Sequence, residues 1–158
     1  MPKVPETTKP KELRVVSFQV NEREYAVDIE KVVEIIYFKP VTPIPRSPSF
    51  IEGIIDLRGS VIPIVDVKKR LGLASDPDLH PDYILIVKIQ DRRLGIMVDR
   101  VREVLQIETA RIEPHHKIVR GRHSEFLTGV CRVAERLILL LDIETLLSTE
   151  EKDRLEEI

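Results

Sequence analysis

Apolar residues in this chain fall in short runs, cut off by charged or turn-forming clusters. Val15-Val-Ser-Phe-Gln-Val20 stops at Asn21-Glu-Arg-Glu24, and Tyr25-Ala-Val-Asp28 resumes on the other side. Short runs rich in β-branched residues and bounded by turn signals predict strands. Ile29 to Ile36 fits either period, and we read a helical turn over 29–33 leading into a strand through Phe38. Val41-Thr-Pro-Ile-Pro-Arg-Ser-Pro-Ser49 carries three prolines, which excludes a central strand or helix and predicts an ordered surface loop. Gly53–Leu57 and Val61–Val65 flank Arg58-Gly59-Ser60, the signature of a hairpin in which Gly59 supplies a positive φ. Asp66 is placed to cap a short helix over Val67–Leu71 that Gly72 ends.

The order then repeats. Ala74 to Asp82, rich in proline and aspartate, predicts a connector. Strands are expected at Tyr83–Ile89 and Leu94–Val98 around an Asp91-Arg92-Arg93 turn. A helical turn is expected over Asp99–Arg102, then a strand over Glu103–Ile107. A polar loop over 109–125 precedes strands at Leu127–Val133 and Leu137–Leu141. Asp142 is placed to cap a helix with Ile143, Leu146 and Leu147 on its apolar face. The charged tail from Thr149 to Ile158 has no clean apolar stripe and predicts a helical extension or a frayed end. Residues 1–11, with three prolines and several charges, read as a disordered arm.

The repetition extends to residues. Tyr25–Ile35 lies without a gap over Leu94–Val104, Phe50–Ile55 over Phe126–Cys131, and Val61–Val67 over Leu137–Ile143. A long-period repeat means two copies of one unit packed together. Gly53 with Gly129 and Asp66 with Asp142 form a shared frame and read as fold residues, as do Gly59 and Gly95. The expected architecture is all-β with short helices: two five-stranded barrels related by a pseudo-twofold axis, with a groove between them. The units cover roughly 12–72 and 82–148, with exchange of elements between them left open.

Composition narrows the function. The net charge of −2, from 25 basic and 27 acidic residues, supplies no excess cation for a phosphate backbone. Aromatics are 4% of the chain with no Trp, which speaks against a base-stacking surface. A single cysteine, Cys131, excludes an internal disulfide and fits a cytosolic protein. No apolar stretch is long enough for a membrane span, and the N-terminus lacks the apolar segment of a signal peptide.

Signatures of enzymes are missing. No phosphate-binding glycine loop and no nucleophile-elbow motif occurs. Cys131 lies in a strand run opposite Ile55 of the other copy and reads as a small core residue. His115, His116 and His123 share a polar loop but match no metal-ligand spacing, and neither metal nor cofactor is expected. Asp66 and Asp142 read as helix caps rather than an acid–base pair. Glu34 and Arg58 stand out: Glu34 recurs as Glu103, whereas Arg58, at a hairpin tip, is replaced by Ala134. Arginine is enriched where proteins bind partners, because its planar fork donates several hydrogen bonds while its stem packs.

Glu24–Ile29, Lys31–Ile35, Pro48–Gly59 and Pro63–Asp66, with Gly95-Ile-Met-Val-Asp99 in the second half, resemble the CheW family of chemotaxis coupling proteins. The likeness runs from about Leu13 to Leu147, and the segment from Phe50 through Asp66 is the most specific. The resemblance implies barrels of SH3-like type and a cytoplasmic adaptor, recruited to membrane-associated receptor arrays, rather than an enzyme. Its implied partners are the cytoplasmic tips of methyl-accepting chemoreceptors and the CheW-like regulatory domain of the histidine kinase CheA. It places Val32, Glu34, Ile35, Arg58 and Val104 at partner-binding positions and ties Gly53 to coupling through the fold. Ile36-Tyr37-Phe38 is bulkier and more apolar than the family pattern, and Cys131–Glu135 replaces a more glycine-rich hairpin. A nucleic-acid-binding small barrel is the competing reading, and charge speaks against it.

Overall fold

A computed structural model describes residues 11–74, 78, 80–114 and 126–154. Among these residues, eleven strands build two sheets. In chain order these are β1 (Glu12–Val20), β2 (Arg23–Asp28), β3 (Val32–Tyr37), β4 (Ile51–Leu57), β5 (Ser60–Val65), β6 (Tyr83–Ile89), β7 (Arg92–Val98), β8 (Arg100–Glu108), β9 (Glu113–Pro114), β10 (Leu127–Val133) and β11 (Arg136–Leu141). Two short α-helices, α1 (Val67–Arg70) and α2 (Thr149–Arg154), and 3-10 turns at 29–31, 109–111 and 143–145 complete the described elements.

Neither sheet belongs to one half of the chain. One runs β8-β1-β2-β11-β10-β9 and the other β3-β6-β7-β5-β4. Each combines the first hairpin of one repeat with the later strands of the other. The joins are equivalent in kind: β2 pairs parallel with β11 and β5 parallel with β7, whereas β1–β8 and β3–β6 are antiparallel. The strand order is thus the same in both sheets, and the short β9 on β10 answers to a single bridge from Thr42 to Ile54 on β4. The expected five-plus-five count is six and five, and neither hydrogen-bond ladder closes on itself.

Three cores follow from strand alternation. Val15, Ala26, Ile107, Cys131, Ile138 and Leu140 fill the inner side of the first sheet. Ile55, Leu57, Ile62, Ile64, Ile84 and Ile86 do so for the second. The largest core lies between the sheets, where Phe18, Tyr25, Leu85, Val87, Ile96, Leu146 and others pack together. The expected seam between the units is therefore packed core, and the apolar side chains left outside lie elsewhere.

Glycine and aspartate positions explain the shared frame. A Cβ on Gly53 would overlap the Thr42 carbonyl oxygen and stand 2.6 Å from Val41 Cγ1. One on Gly129 would stand 2.6 Å from Ile112 Cγ2 and 2.7 Å from the Glu113 oxygen. In both copies glycine thus lets the next segment lie against the strand, and both strands carry a register shift there. Gly95 plays a packing role, since a Cβ would lie 3.0 Å from Ile84 Cγ2. Asp66 Oδ1 accepts from Lys68 N at 2.9 Å and Asp142 Oδ1 from Glu144 N at 3.0 Å, as expected of caps. Asp28 does the same for Glu30 N and holds the 3-10 turn at 29–31.

One expected helical turn does not form, and the helical extension expected of the tail does. No helical turn forms over 99–102, because β8 starts at Arg100. The residue equivalent to Asp28 is Met97, which has no oxygen to cap such a turn. Asp99 instead accepts from Asn21 N at 2.8 Å and ties this corner to the β1–β2 turn. The tail, for its part, is docked as far as Arg154. Ser148 and Glu151 cap each other's backbone N–H, at 3.1 and 2.8 Å, in a capping box. Arg70 holds Glu151 through both guanidinium nitrogens, at 3.1 and 2.7 Å, donates Nε to Leu146 O at 2.9 Å, and stands over the Phe126 ring. A planar cation does the docking that the missing apolar stripe could not. The histidine-bearing part of the polar loop and the N-terminal arm before Lys11 lie outside the described residues.

Candidate partner-binding site

Glu34 sits on β3, at one edge of the second sheet, and Arg58 sits at the tip of the hairpin that carries the opposite edge. They meet: Arg58 Nη2 donates to Glu34 Oε2 at 2.5 Å. Lys39, just after β3, donates Nζ to the Asp56 carbonyl oxygen on β4, also at 2.5 Å. The sheet is therefore curled until its two edges nearly touch. Arg58 has φ +51° and Gly59 +87°, so both turn residues are left-handed, and Asp56 Oδ1 accepts from Gly59 N at 2.9 Å to hold the tip. The hydrogen bond to Glu34 holds the guanidinium of Arg58 in its charged form, raising its pKa. Even so, the arginine side chain keeps 66% of its exposure.

The neighbouring side chains separate by face. Ile36 packs on the small inner core and Val32 on the large core between the sheets. Val33, Ile35, Tyr37 and Phe38 are exposed, Tyr37 to 78%, and Tyr37 stacks on Tyr83 with ring centroids 5.5 Å apart. Val61, on the same hairpin as Arg58, is exposed as well. Glu34 and Arg58 are thus brought together, whereas Ile35, next along β3, lies on the opposite face of the strand with Val33 and Tyr37. Val32 is half-buried, and Val104 belongs to β8 at the edge of the other sheet.

The second copy supplies a comparison. Val104 and Leu137, equivalent to Ile35 and Val61, are also exposed. Where β3 presents Val33 and Tyr37, however, β8 presents Arg102 and Gln106. Glu103, the counterpart of Glu34, is paired too, through Arg136 Nη1 at 2.9 Å. Reading the hairpin tips alone misses this, because the arginine has moved two residues along, opposite Ser60. Arg136 also grips the buried carboxylate of Glu24 with Nε, at 2.9 Å, and Nη2. Arg102 stands 3.6 Å from Glu24. Burial pushes the Glu24 carboxyl up, but hydrogen bonds from Arg136 and Ser17 and the charges of Arg136 and Arg102 outweigh it, so its pKa is lowered overall. The arginine of the second copy is partly buried and held by Glu24 as well, whereas that of the first has Glu34 alone and stands open to solvent.

The basic run of α1 is internally satisfied. Lys68 pairs with Asp99 at 3.1 Å, Lys69 with Glu52 at 2.5 Å, and Arg70 with Glu151, so the basic run of α1 has no excess charge to offer a polyanion. Cys131 is buried, and burial raises its thiol pKa, the opposite of what a nucleophile needs. No group of three or more His, Cys, Asp or Glu among the described residues is arranged to hold a metal. No described helix is long and apolar enough to cross a membrane.

The CheW-like domain family model matches residues 14–151. This chain belongs to the CheW family. The chemotaxis protein CheW of Klebsiella aerogenes is 35% identical over 85% of this chain and 81% of its own length. That of Rhizobium meliloti is 33% identical over 88% and 90%. A crystal structure of the scaffolding protein TtCheW from Thermoanaerobacter tengcongensis superposes with a TM-score of 0.78, at 34% identity, covering 88% of this chain and 94% of that one. The chain is thus a chemotaxis adaptor of the CheW family, and the nucleic-acid reading is not favoured.

Proposed function

We propose that this adaptor joins the cytoplasmic tips of methyl-accepting chemoreceptors to the CheW-like regulatory domain of CheA, acting without catalysis of its own. Each curled sheet is then an open SH3-like barrel, and the molecule works in the cytoplasm at receptor arrays. The observation that carries this reading is the Arg58–Glu34 pair, its guanidinium open to solvent, on a strand whose opposite face exposes Val33, Ile35 and Tyr37. An arginine held by one carboxylate at a hairpin tip keeps further donors for a partner. Ile35 supplies dry contact on the other face of the same strand, Val32 supports the strand from beneath, and Val104 offers a second contact region on the other sheet. Two sites on one rigid body can be coupled energetically, typically by ~1–3 kcal/mol.

The test is a pair of titrations of purified protein, against a receptor-tip fragment and against the CheA regulatory domain. Arg58→Asp should weaken at least one of them by about tenfold or more, a loss of the size expected for an interface anchor, with the melting temperature nearly unchanged. Unaltered binding to both partners would remove Arg58 from the site.

A further inference from the structure

We infer that the first sheet holds a binding recess for a small, mainly apolar molecule with a hydrogen-bond-donating or cationic head. A cleft of about 320 Å³ opens on its inner side, lined at depth by Val15, Ala26 and Leu140 and at the mouth by Asp28, Thr128 and Asp142 among others. The lining is more apolar than polar. That volume lies at the lower end of small-molecule sites and suits a body of roughly ten non-hydrogen atoms.

The repeat shows why the space is there. Strand register makes Val15, Ser17 and Asp28 equivalent to Ile84, Ile86 and Met97 of the second sheet. Along the other hairpin, Cys131 and Val133 answer to Ile55 and Leu57. At all of these except Asp28 the first sheet carries the smaller side chain; of the four, Val15 lines the cleft itself, and Ala26 beside it is larger than its counterpart Gly95. In the second sheet Met97 packs onto the inner core, where the first has a carboxylate. A core built on the same strand frame with less side chain leaves room, since close packing allows little slack.

The rim selects the head group. Asp28 and Asp142 each use Oδ1 for a backbone N–H, leaving their other oxygens for a ligand donor. Lys31, the cation at the mouth, is already held by Glu144 at 3.3 Å. The hydroxyls of Thr109 and Thr128 donate to the Lys11 and Leu140 carbonyl oxygens. What remains is acceptor capacity and negative charge, which favours an amine or N–H group over a carboxylate.

Phenethylamine and 3-phenylpropionate are matched probes of about this size. Titrated into isotope-labelled protein, phenethylamine should shift the amide resonances of Val15, Ala26 and Leu140 saturably. The carboxylate should bind about fivefold more weakly or worse, the effect of one exposed charge contact. Val15→Ile with Asp28→Met gives the first sheet the residues of the second and should abolish those shifts. Thr128→Leu, at the exposed mouth, should weaken binding by narrowing the entrance should the double variant fold poorly. Absence of saturable shifts in the wild type, or undiminished binding by the variants, would overturn the site. Equal binding of the two probes would overturn the assigned head group.

Discussion

At the scale of single residues, two arginines do different jobs on equivalent ground. Arg136 is shared between Glu24 and Glu103 and stitches β2, β8 and β11 together. Its truncation leaves the Glu24 carboxylate buried without its main partner, so Arg136→Ala should cost about 3–5 kcal/mol in denaturant unfolding. Glu24 makes the pH dependence testable. Its folded pKa lies below the ordinary value of 4.5. Its contribution is therefore complete above the unfolded value and is lost as pH falls through the folded one. The melting-temperature gap between wild type and Glu24→Gln should shrink on going from neutral pH into that acid range, and a constant gap would show that the charge of Glu24 is not what stabilises. Arg58, by contrast, spans two sheet edges in full view of solvent, where an ion pair adds little to stability. The neighbouring Gly59 differs again. Nothing crowds it, but its φ of +87° resists a β-branched side chain, so Gly59→Val should destabilise by about 1–3 kcal/mol without touching the core.

At the scale of elements, α2 is held by a cation rather than by apolar burial. Arg70→Ala should free it: amide exchange over 149–154 should rise, while the strands stay protected. Unchanged protection of α2 would mean that other contacts suffice. The same element marks how far the sequence can be read. Strands announced themselves because their apolar runs are bounded by turn residues, and the caps at Asp66 and Asp142 because an aspartate precedes each helical segment. The docking of α2 stayed hidden, because Arg70 and Glu151 are far apart in the chain and ion pairing has no periodicity. The absent turn at 99–102 was readable in principle, as Met97 stands where Asp28 caps. The candidate residues were legible but not their placement: Glu34 and Arg58 meet only because the second sheet curls edge to edge, Ile35 faces the other way, and Val104 is carried off by the exchange of strands.

At the scale of the whole molecule, the exchange makes the two halves inseparable. Cutting at the connector gives fragments 11–74 and 80–154, and each lacks strands that both sheets require. Each fragment alone should show neither cooperative unfolding nor dispersed amide resonances, whereas the mixture should regain both. A fragment that folds by itself would show that the exchange is not needed for stability. The same arrangement has a consequence for synthesis. β1 is made well before its antiparallel neighbour β8, which follows two further hairpins, and β2 must wait for β11. The ribosome therefore delivers a hairpin, β1–β2, with one edge without its partner until β11 has emerged. Folding of such non-local pairings is slow, and an unpaired strand edge invites other chains. The order of emergence thus leaves the nascent protein open to wrong strand pairing, a hazard set by where its strands find their neighbours rather than by how stable the finished adaptor is.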